Sequence, residues 1–175
     1  MQNAHVPIIG FVAASGTGKT TLLTKLIPIL NRNGVRVGLI KHSHHDFEID
    51  KPEKDSYRLR KAGANPVMLV SRYRRAIITE LDPDAEPVLD AQLKLFDQSE
   101  LDLILVEGFK EEKFPKIELY RVSLNRPSLY QSDPTIIALV GDEPVCAPDD
   151  LVNLDINQPE MIAHFILKRI GAKTW

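Results

Sequence analysis

A glycine-rich turn near the start of the chain lies between a strand pattern and a helix pattern, and it narrows the possible folds more than any other segment. The turn reads Ala13-Ala14-Ser15-Gly16-Thr17-Gly18-Lys19-Thr20. It ends the apolar run Pro7 to Ala14 and opens the segment Thr20 to Asn31, whose leucines and isoleucines recur at helical spacing. This order of strand, turn and helix predicts a phosphate-binding loop.

The residue types in this turn suit a triphosphate. Glycines let the backbone curl so that successive N–H groups converge on an anion, and the following helix adds the positive end of its dipole. Lys19 brings a cation to the outer phosphates, which is a catalytic role, and Thr20 offers its hydroxyl to Mg²⁺. We therefore predict nucleotide contacts from seven consecutive residues: Ser15, Gly16, Thr17, Gly18, Lys19, Thr20 and Thr21.

One position departs from the strict loop pattern, because Ala13 stands where the first glycine is expected. Alanine is compatible with the loop if this position keeps a negative φ. The alternative interpretation is a glycine-rich turn whose Lys19 is only solvated.

Apolar runs and helix-period segments alternate along the chain, which predicts an α/β fold of the phosphate-loop NTPase type. Continuous Val- and Ile-rich runs are typical of strands covered on both faces, so we expect a doubly wound, mostly parallel sheet with helices on both faces. The length fits a single nucleotide-binding domain over residues 1–175. The predicted strands are Pro7 to Ala14, Val35 to Ile40, Val67 to Val70, Ala76 to Ile78, Leu101 to Val106, Ile117 to Tyr120 and Ile136 to Val140. The predicted helices are Thr20 to Asn31, Asp55 to Ala62, Glu86 to Phe96 and Gln158 to Ile170.

Charge and composition exclude several classes of protein. The 22 basic and 24 acidic residues give a net charge of −2, whereas a nucleic-acid-binding domain usually carries a large basic excess. No uninterrupted apolar run approaches the roughly 18–20 residues of a membrane helix. The lone Cys146 cannot form an internal disulfide. We expect a cytoplasmic protein with neither a nucleic-acid nor a membrane partner.

A second carboxylate site is predicted where the apolar run Leu101 to Val106 ends in Glu107-Gly108. In phosphate-loop proteins such a strand lies beside the loop strand, and its terminal acid approaches the magnesium. The alternative is an acid that caps the following turn. Asp102 lies at the far end of the same run, so we assign it no chemistry.

The loop after the second predicted strand is rich in histidine and acid, and it is expected at the ligand-binding edge of the sheet. Its residue types leave three interpretations open: a zinc site, a polar loop that folds over ligand, and a surface that contacts a second anionic substrate or partner. Under the third, Asp46 or Asp55 could supply a further oxygen to Mg²⁺. The residues assigned to substrate or partner contact are Lys41, His42, His44, His45 and Asp46.

The segment Val67 to Glu80 predicts a hairpin with Ser71-Arg72-Tyr73-Arg74 at its turn. A basic turn of this kind is interpreted as a solvated tip or as an anion site. The apolar strand edge could extend a sheet across two subunits.

Four segments together resemble the MobB family, which assists molybdopterin-guanine dinucleotide biosynthesis. They are Ala14 to Thr21, Leu39 to Asp46, Lys54 to Gly63 and Leu105 to Lys110, and the likeness runs over nearly the whole chain. The resemblance implies a homodimeric GTP-binding protein with weak GTPase activity. It also implies partnership with a MobA-type guanylyltransferase, and contact with molybdopterin or a molybdoenzyme apoprotein.

The arrangement of the phosphate loop, the acid before a short helix and the Val-Glu-Gly strand end also resembles dethiobiotin synthetase, in which the three matching positions approach magnesium. Carried over, that likeness implies Mg²⁺ bound with GTP by Thr20, Asp55 and Glu107. A small-molecule kinase or an ATP-driven ligase is therefore an alternative function, and a module that keeps the loop only as part of its fold is a third.

The chain lacks the Asn-Lys-x-Asp and Thr-Lys-x-Asp sequences that commonly read guanine. Asp142 follows the run Ile136 to Val140 and occupies a loop where a nucleotide base could lie. It is a candidate nucleotide-binding residue, and an exposed turn acid is the alternative.

Overall fold

The apolar runs form the strands of a six-stranded sheet in which every neighbouring pair is parallel. The chain, described by a computed structural model over residues 1–43, 46–143, 148 and 151–172, divides into two compact units. The first comprises Met1–His42 and Val88–Trp175, and the second comprises Ser43–Pro87. The prediction of a single domain over residues 1–175 stays a prediction, and the units are described separately.

The first unit carries the sheet. Its strands are β1 Ile8–Ala13, β2 Val37–Lys41, β5 Leu103–Glu107, β6 Lys116–Leu119, β7 Ile136–Gly141 and β8 Val152–Asp155, in the order β2-β5-β1-β6-β7-β8. Its helices are α1 Lys19–Arg32, α3 Leu89–Leu95 and α4 Pro159–Arg169, with a short 3-10 helix at Val122–Leu124.

Helices cover both faces of this sheet, as the alternation of patterns predicts. On one face α1 and α4 bury side chains such as Leu26 and Ile166 against Phe11 and Ile117. On the other face α3 packs Leu93 into the cluster that contains Ile104. Because strand side chains alternate between faces, β1 and β7 are apolar on both faces, whereas β6 alternates apolar residues with buried Lys116 and Glu118.

Two elements of this unit differ from the sequence expectations. β8 was not predicted, because Val-Asn-Leu-Asp at the sheet edge is half polar. α3 begins at Leu89 and not at Glu86, because Pro87 lacks a backbone donor and Val88 is extended. α1 matches the predicted helix to within one residue at each end. Within the described part of the chain, every helix is too short or too polar to span a lipid bilayer.

The second unit contains the helix α2 Asp55–Lys61 and the antiparallel strands β3 Val67–Val70 and β4 Arg75–Ile78. The predicted hairpin is confirmed, and its turn residues are exposed. Arg60 and Asp50 are the buried charged residues described in this unit, and Arg60 forms ion pairs with Glu48, Asp50 and Glu80.

Candidate functional site

The loop between β1 and α1 turns on two glycines with left-handed backbone angles. Gly16 has φ 83° and Gly18 has φ 94°, a region that L side chains rarely adopt. Between them Thr17 is buried, and its Oγ1 donates to the Ala14 carbonyl at 2.9 Å. Ala13 ends β1 and is not among the residues with positive φ, so alanine fits the position where glycine is usual.

This loop surrounds a cavity of about 380 Å³ lined by residues 14–21 and Glu107. Gly18 is the N-cap of α1, no side chain caps that terminus, and its first turn contains no acid. The backbone N–H groups at the start of α1 are therefore available to an anion. All seven predicted loop residues, Ser15 to Thr21, line this one cavity.

Glu107 stands at the end of β5 as predicted, and it is shared by two lysines. The Lys19 Nζ lies 3.4 Å from its Oε1, and the Lys41 Nζ lies 3.3 Å from the same atom. Parallel pairing causes this convergence, because Lys41 and Phe11 both align with Glu107 across the sheet. The Glu107 side chain is only 12% exposed, whereas that of Lys41 is 56% exposed.

The backbone beyond Glu107 is held tightly against the end of β2. The His42 N–H donates to the Glu107 carbonyl at 2.8 Å, and the His42 ring stacks on Phe109 with centroids 4.6 Å apart. Gly108 has φ 91°, and a Cβ there would lie 2.8 Å from the Cβ of His42. Only glycine fits this position, so Lys41 and His42 stay beside the Glu107 carboxylate.

Asp142, the candidate base-side acid, forms an ion pair with Arg121. The Arg121 Nη1 lies 2.6 Å from Asp142 Oδ2, and its Nε donates to the Thr17 carbonyl at 2.9 Å. Arg121 was missed by sequence reasoning, because a lone arginine in a polar loop resembles any solvated cation. Its place two residues after the end of β6, at the edge that carries the phosphate loop, was the available signal.

A second cavity, of about 280 Å³, lies on the other side of the loop and is lined in part by Thr17, Lys110, Glu118, Arg121 and Arg126. Glu118 is buried there, and its two oxygens accept from the N–H groups of Leu129 and Tyr130 at 2.6 and 2.8 Å. Burial raises the pKa of the Glu118 carboxyl. The two N–H groups therefore hold the Glu118 carboxylate to the segment that contains Leu129 and Tyr130.

The remaining predicted residues belong to the second unit or fall outside the described residues. Asp46 and Asp55 belong to the second unit, where Asp55 is the exposed first residue of α2. His44 and His45 lie outside the described residues. Among the residues that are described, no three His, Cys, Asp or Glu side chains converge on one point that could hold a metal ion.

A parallel sheet with helices on both faces, and a glycine-rich loop leading from β1 into a helix, define the phosphate-loop NTPase class. The family model of molybdopterin guanine dinucleotide synthesis protein B, MobB, matches residues 8–142. The chain therefore belongs to the MobB family, and its role is that of an adapter in molybdopterin-guanine dinucleotide biosynthesis.

Individual proteins support this assignment. The molybdopterin-guanine dinucleotide biosynthesis adapter protein of Escherichia coli strain K12 is 48% identical over 164 residues, 93% of each chain. A crystal structure of molybdopterin-guanine biosynthesis protein B superposes with a TM-score of 0.74 at 29% identity, and the match covers 94% of this chain and 99% of that one.

A more distant match bears on the kinase alternative. The tetraacyldisaccharide 4'-kinase of Azotobacter vinelandii strain DJ is 32% identical over 113 residues, but these are 60% of this chain and 31% of the kinase. Such a partial likeness is weak support for that alternative.

Proposed function

We propose that this adapter binds GTP together with Mg²⁺ at the phosphate loop and serves a MobA-type guanylyltransferase in the cytoplasm. The observation that carries the proposal is the position of Lys19 and Glu107 at one cavity, beneath backbone N–H groups that no side chain caps. Hydrolysis by such a site is expected to be slow, because its contribution is the positioning of phosphates.

The side chains at this cavity fit magnesium. Thr20 offers a hydroxyl and Glu107 a carboxylate, and hard oxygen ligands suit Mg²⁺. Bound there, Mg²⁺ would neutralise charge on the phosphates. We propose Asp55 as the third oxygen ligand.

Lys19 and Glu107 exchange partners in this proposal. When phosphates occupy the loop, the Lys19 ammonium pairs with them and leaves the Glu107 carboxylate. That carboxylate can then serve Mg²⁺, directly or through water, while Lys41 remains 3.3 Å from it to balance its charge. The salt bridge between Lys19 and Glu107 therefore fits a site prepared for an anion and a cation together.

Nucleotide titration tests the proposal. We expect Lys19→Ala to weaken GTP binding by about tenfold to a hundredfold, because hydrogen bonds to charged groups contribute about 1.5–3 kcal/mol. Lys25→Ala, an exposed lysine on the same helix, is the matched control. Failure of the unaltered protein to bind any nucleotide would reject the function.

The magnesium role is tested by Glu107→Gln with and without Mg²⁺. With Mg²⁺ the variant should bind GTP more weakly, because a charged ligand is lost. Without Mg²⁺ it should bind as well or better, because Lys19 is released from its salt bridge. Asp55→Asn should show the same dependence, and Asp102→Asn, at the opposite end of the β5 region, is the control. Equal weakening of Glu107→Gln in both conditions would rule out a metal ligand.

The exposed Lys41, with His42, His44, His45 and Asp46, is proposed to contact molybdopterin, the guanylyltransferase or a molybdoenzyme apoprotein. Lys41→Met should reduce the stimulation of guanylyl transfer by more than it changes GTP affinity, a change that is expected because Lys41 also pairs with Glu107. The zinc interpretation of this loop is tested by elemental analysis of protein purified without chelator. Near-stoichiometric zinc would support that interpretation over ours.

We propose a homodimer that covers the hairpin of the second unit. Met68, Val70 and Ile77 are exposed on β3 and β4, which pair with no other strand of the described residues, and free strand edges favour pairing. Val70→Pro should yield monomers in sedimentation. A variant that stays dimeric would place the dimer surface elsewhere.

The kinase alternative rests on the partial match to a tetraacyldisaccharide 4'-kinase. It requires transfer of a phosphoryl group from nucleotide to a metabolite acceptor. Labelled γ-phosphate found on a small molecule in stoichiometric amount would favour it. Label released only as inorganic phosphate would favour the adapter.

A further inference from the structure

We propose that Arg121 is a positioning residue that holds Asp142 toward the nucleotide base and fastens it to the phosphate loop, so that guanine preference depends on both residues. The inference rests on the proposed function, since it presupposes a guanine nucleotide in the loop. Two contacts of one guanidinium carry it, one to the Thr17 carbonyl at 2.9 Å and one to Asp142 at 2.6 Å.

The guanidinium suits this task because it is a planar fork with fixed donor directions. Its Nε is directed at the phosphate-loop backbone while Nη1 is directed at the Asp142 carboxylate. A lysine presents one point charge and cannot hold both partners in the same geometry. Arg121 therefore fixes the distance between the loop that holds phosphates and the acid that follows β7.

The backbone on both sides of Arg121 is closely packed. A Cβ on Gly18 would lie 3.5 Å from Arg121 Nη2, so the guanidinium lies against the loop itself. A Cβ on Gly141 would lie 2.8 Å from the Tyr120 carbonyl, so the ends of β6 and β7 are in close contact. The Gly141 carbonyl also accepts a hydrogen bond from the Ile156 N–H at 2.8 Å, which holds the segment after β8 against the end of β7.

Asp142 keeps acceptor capacity for a base while paired with Arg121. A carboxylate offers about four lone-pair sites, and the Arg121 contact involves Oδ2. Oδ1 and the remaining site on Oδ2 suit the two donors on one edge of guanine, N1–H and the 2-amino group. Adenine presents an unprotonated N1 on that edge, which a carboxylate repels. Asp142 can therefore read guanine without the usual four-residue motif, provided that its orientation is held.

Neighbouring cations do not share this role. Lys110 and Arg126 line the second cavity with Arg121, but Lys110 has only a weak contact with Glu111 at 3.9 Å. Among the described residues, Arg126 forms no ion pair within 4.0 Å. Arg126→Gln is consequently a matched control for Arg121→Gln, since it removes the same charge from the same cavity wall.

The test measures Mg²⁺-dependent affinity for GTP, inosine triphosphate and ATP in the full chain. Arg121→Gln should lower the GTP-over-ATP ratio by about tenfold, comparable to the loss of a charge-assisted hydrogen bond. Asp142→Asn should lower it at least as much and should also reduce the preference for GTP over inosine triphosphate, which lacks the 2-amino group. Arg126→Gln should leave both ratios unchanged.

The double variant Arg121→Gln/Asp142→Asn decides how Arg121 acts. If Arg121 works through Asp142, the double variant should have the same base selectivity as Asp142→Asn alone, because the effects of coupled residues are not additive. A drop of equal size for GTP and ATP in Arg121→Gln would overturn the inference, since it would show only a structural role. Where Arg121→Gln does not fold, Arg121→Lys decides by the same ratio.

The outcomes separate this inference from the proposed function. A wild-type protein that binds no nucleotide overturns both. A wild-type protein that binds GTP and ATP equally, or an Arg121 variant with undiminished preference for GTP, overturns the role of Arg121 and leaves the phosphate-loop assignment intact.

Discussion

The two compact units differ in the kind of side chain that they bury. In the first unit β1, β5, β6 and β7 are almost wholly buried between helices, and side chains such as Leu105 and Ile117 have no exposure. In the second unit Met68 and Ile77 are exposed, and a buried charge, Arg60, stands where a core residue is expected. The difference teaches that the first unit is held by apolar packing, whereas the second depends on one ion cluster.

That cluster carries a desolvation cost, because Arg60 and Asp50 are buried. Arg60 contacts Glu48, Asp50 and Glu80, with 2.8 Å between its Nη2 and Asp50 Oδ1. Asp50 Oδ2 and Arg60 Nε are nevertheless buried and have no hydrogen-bond partner among the described residues. Buried ion pairs offset much of their attraction by desolvation, and loss of one partner is more damaging than loss of both.

The largest effect is expected in the core of the first unit. Leu105→Ala should lower the free energy of unfolding by about 2–5 kcal/mol, because a fully buried leucine leaves a cavity. Met68→Ala in the exposed hairpin is the control, with a change within about 0.5 kcal/mol at protein concentrations that keep the chain monomeric. Denaturant titration measures both. Equal losses would show that apolar packing matters as much in the second unit.

A local effect is expected from Arg60→Met. Removing the guanidinium leaves the Asp50 side chain, only 3% exposed, beside no countercharge. Amide hydrogen exchange should accelerate over residues 46–87 and remain slow in β1, β5 and β6. Arg58→Met, on the exposed face of α2, should leave both units protected. Acceleration spread evenly over both units would contradict the division of roles.

The smallest effect is expected from acid. The side-chain hydrogen bond from Arg60 holds the pKa of Asp50 below its ordinary value. The stability that this hydrogen bond adds to the second unit is therefore complete above roughly pH 4. It is lost as the pH falls through the lower pKa that Asp50 has in the folded state. Exchange in the second unit should rise over that range.

In the first unit the pKa of Glu118 is shifted in the opposite direction to that of Asp50. Burial raises the pKa of Glu118, so its contribution to stability is greatest in acid and declines as pH rises through the folded-state pKa. Asp50→Asn should remove the acid-induced opening of the second unit. Glu118→Gln should remove the decline in stability of the first unit with rising pH. Persistence of the opening in Asp50→Asn would assign it to other carboxyls.

Continuous apolar runs made most of the sheet predictable. β1, β5 and β7 are buried on both faces, so their sequences show little else than Val, Ile, Leu and small residues. The glycine-rich turn located the phosphate loop, because few other functions require glycine at two such positions. β8 escaped prediction because an edge strand needs only a few backbone hydrogen bonds and tolerates polar side chains.

The parts of the site that depend on long-range contact were not predictable. The role of Arg121 can be recognised only once the sheet order is known to place β6 beside β7. Its partners Thr17 and Asp142 are distant from it in sequence. The Arg60 cluster likewise draws its acids from segments before and after α2. Polar pairing of this kind leaves no periodic pattern in the sequence.

The strand order β2-β5-β1 also has a consequence for how the molecule folds. β5 lies between two strands that precede it in the chain. The second unit, residues 43–87, intervenes in sequence between β2 and β5, so these two strands pair only by closing a long loop. The entropy of closing that long loop opposes the central pairing, and topologies rich in such contacts fold slowly. Early collapse of the intervening segment would shorten the effective loop, so the rate of refolding should follow how fast that segment becomes ordered.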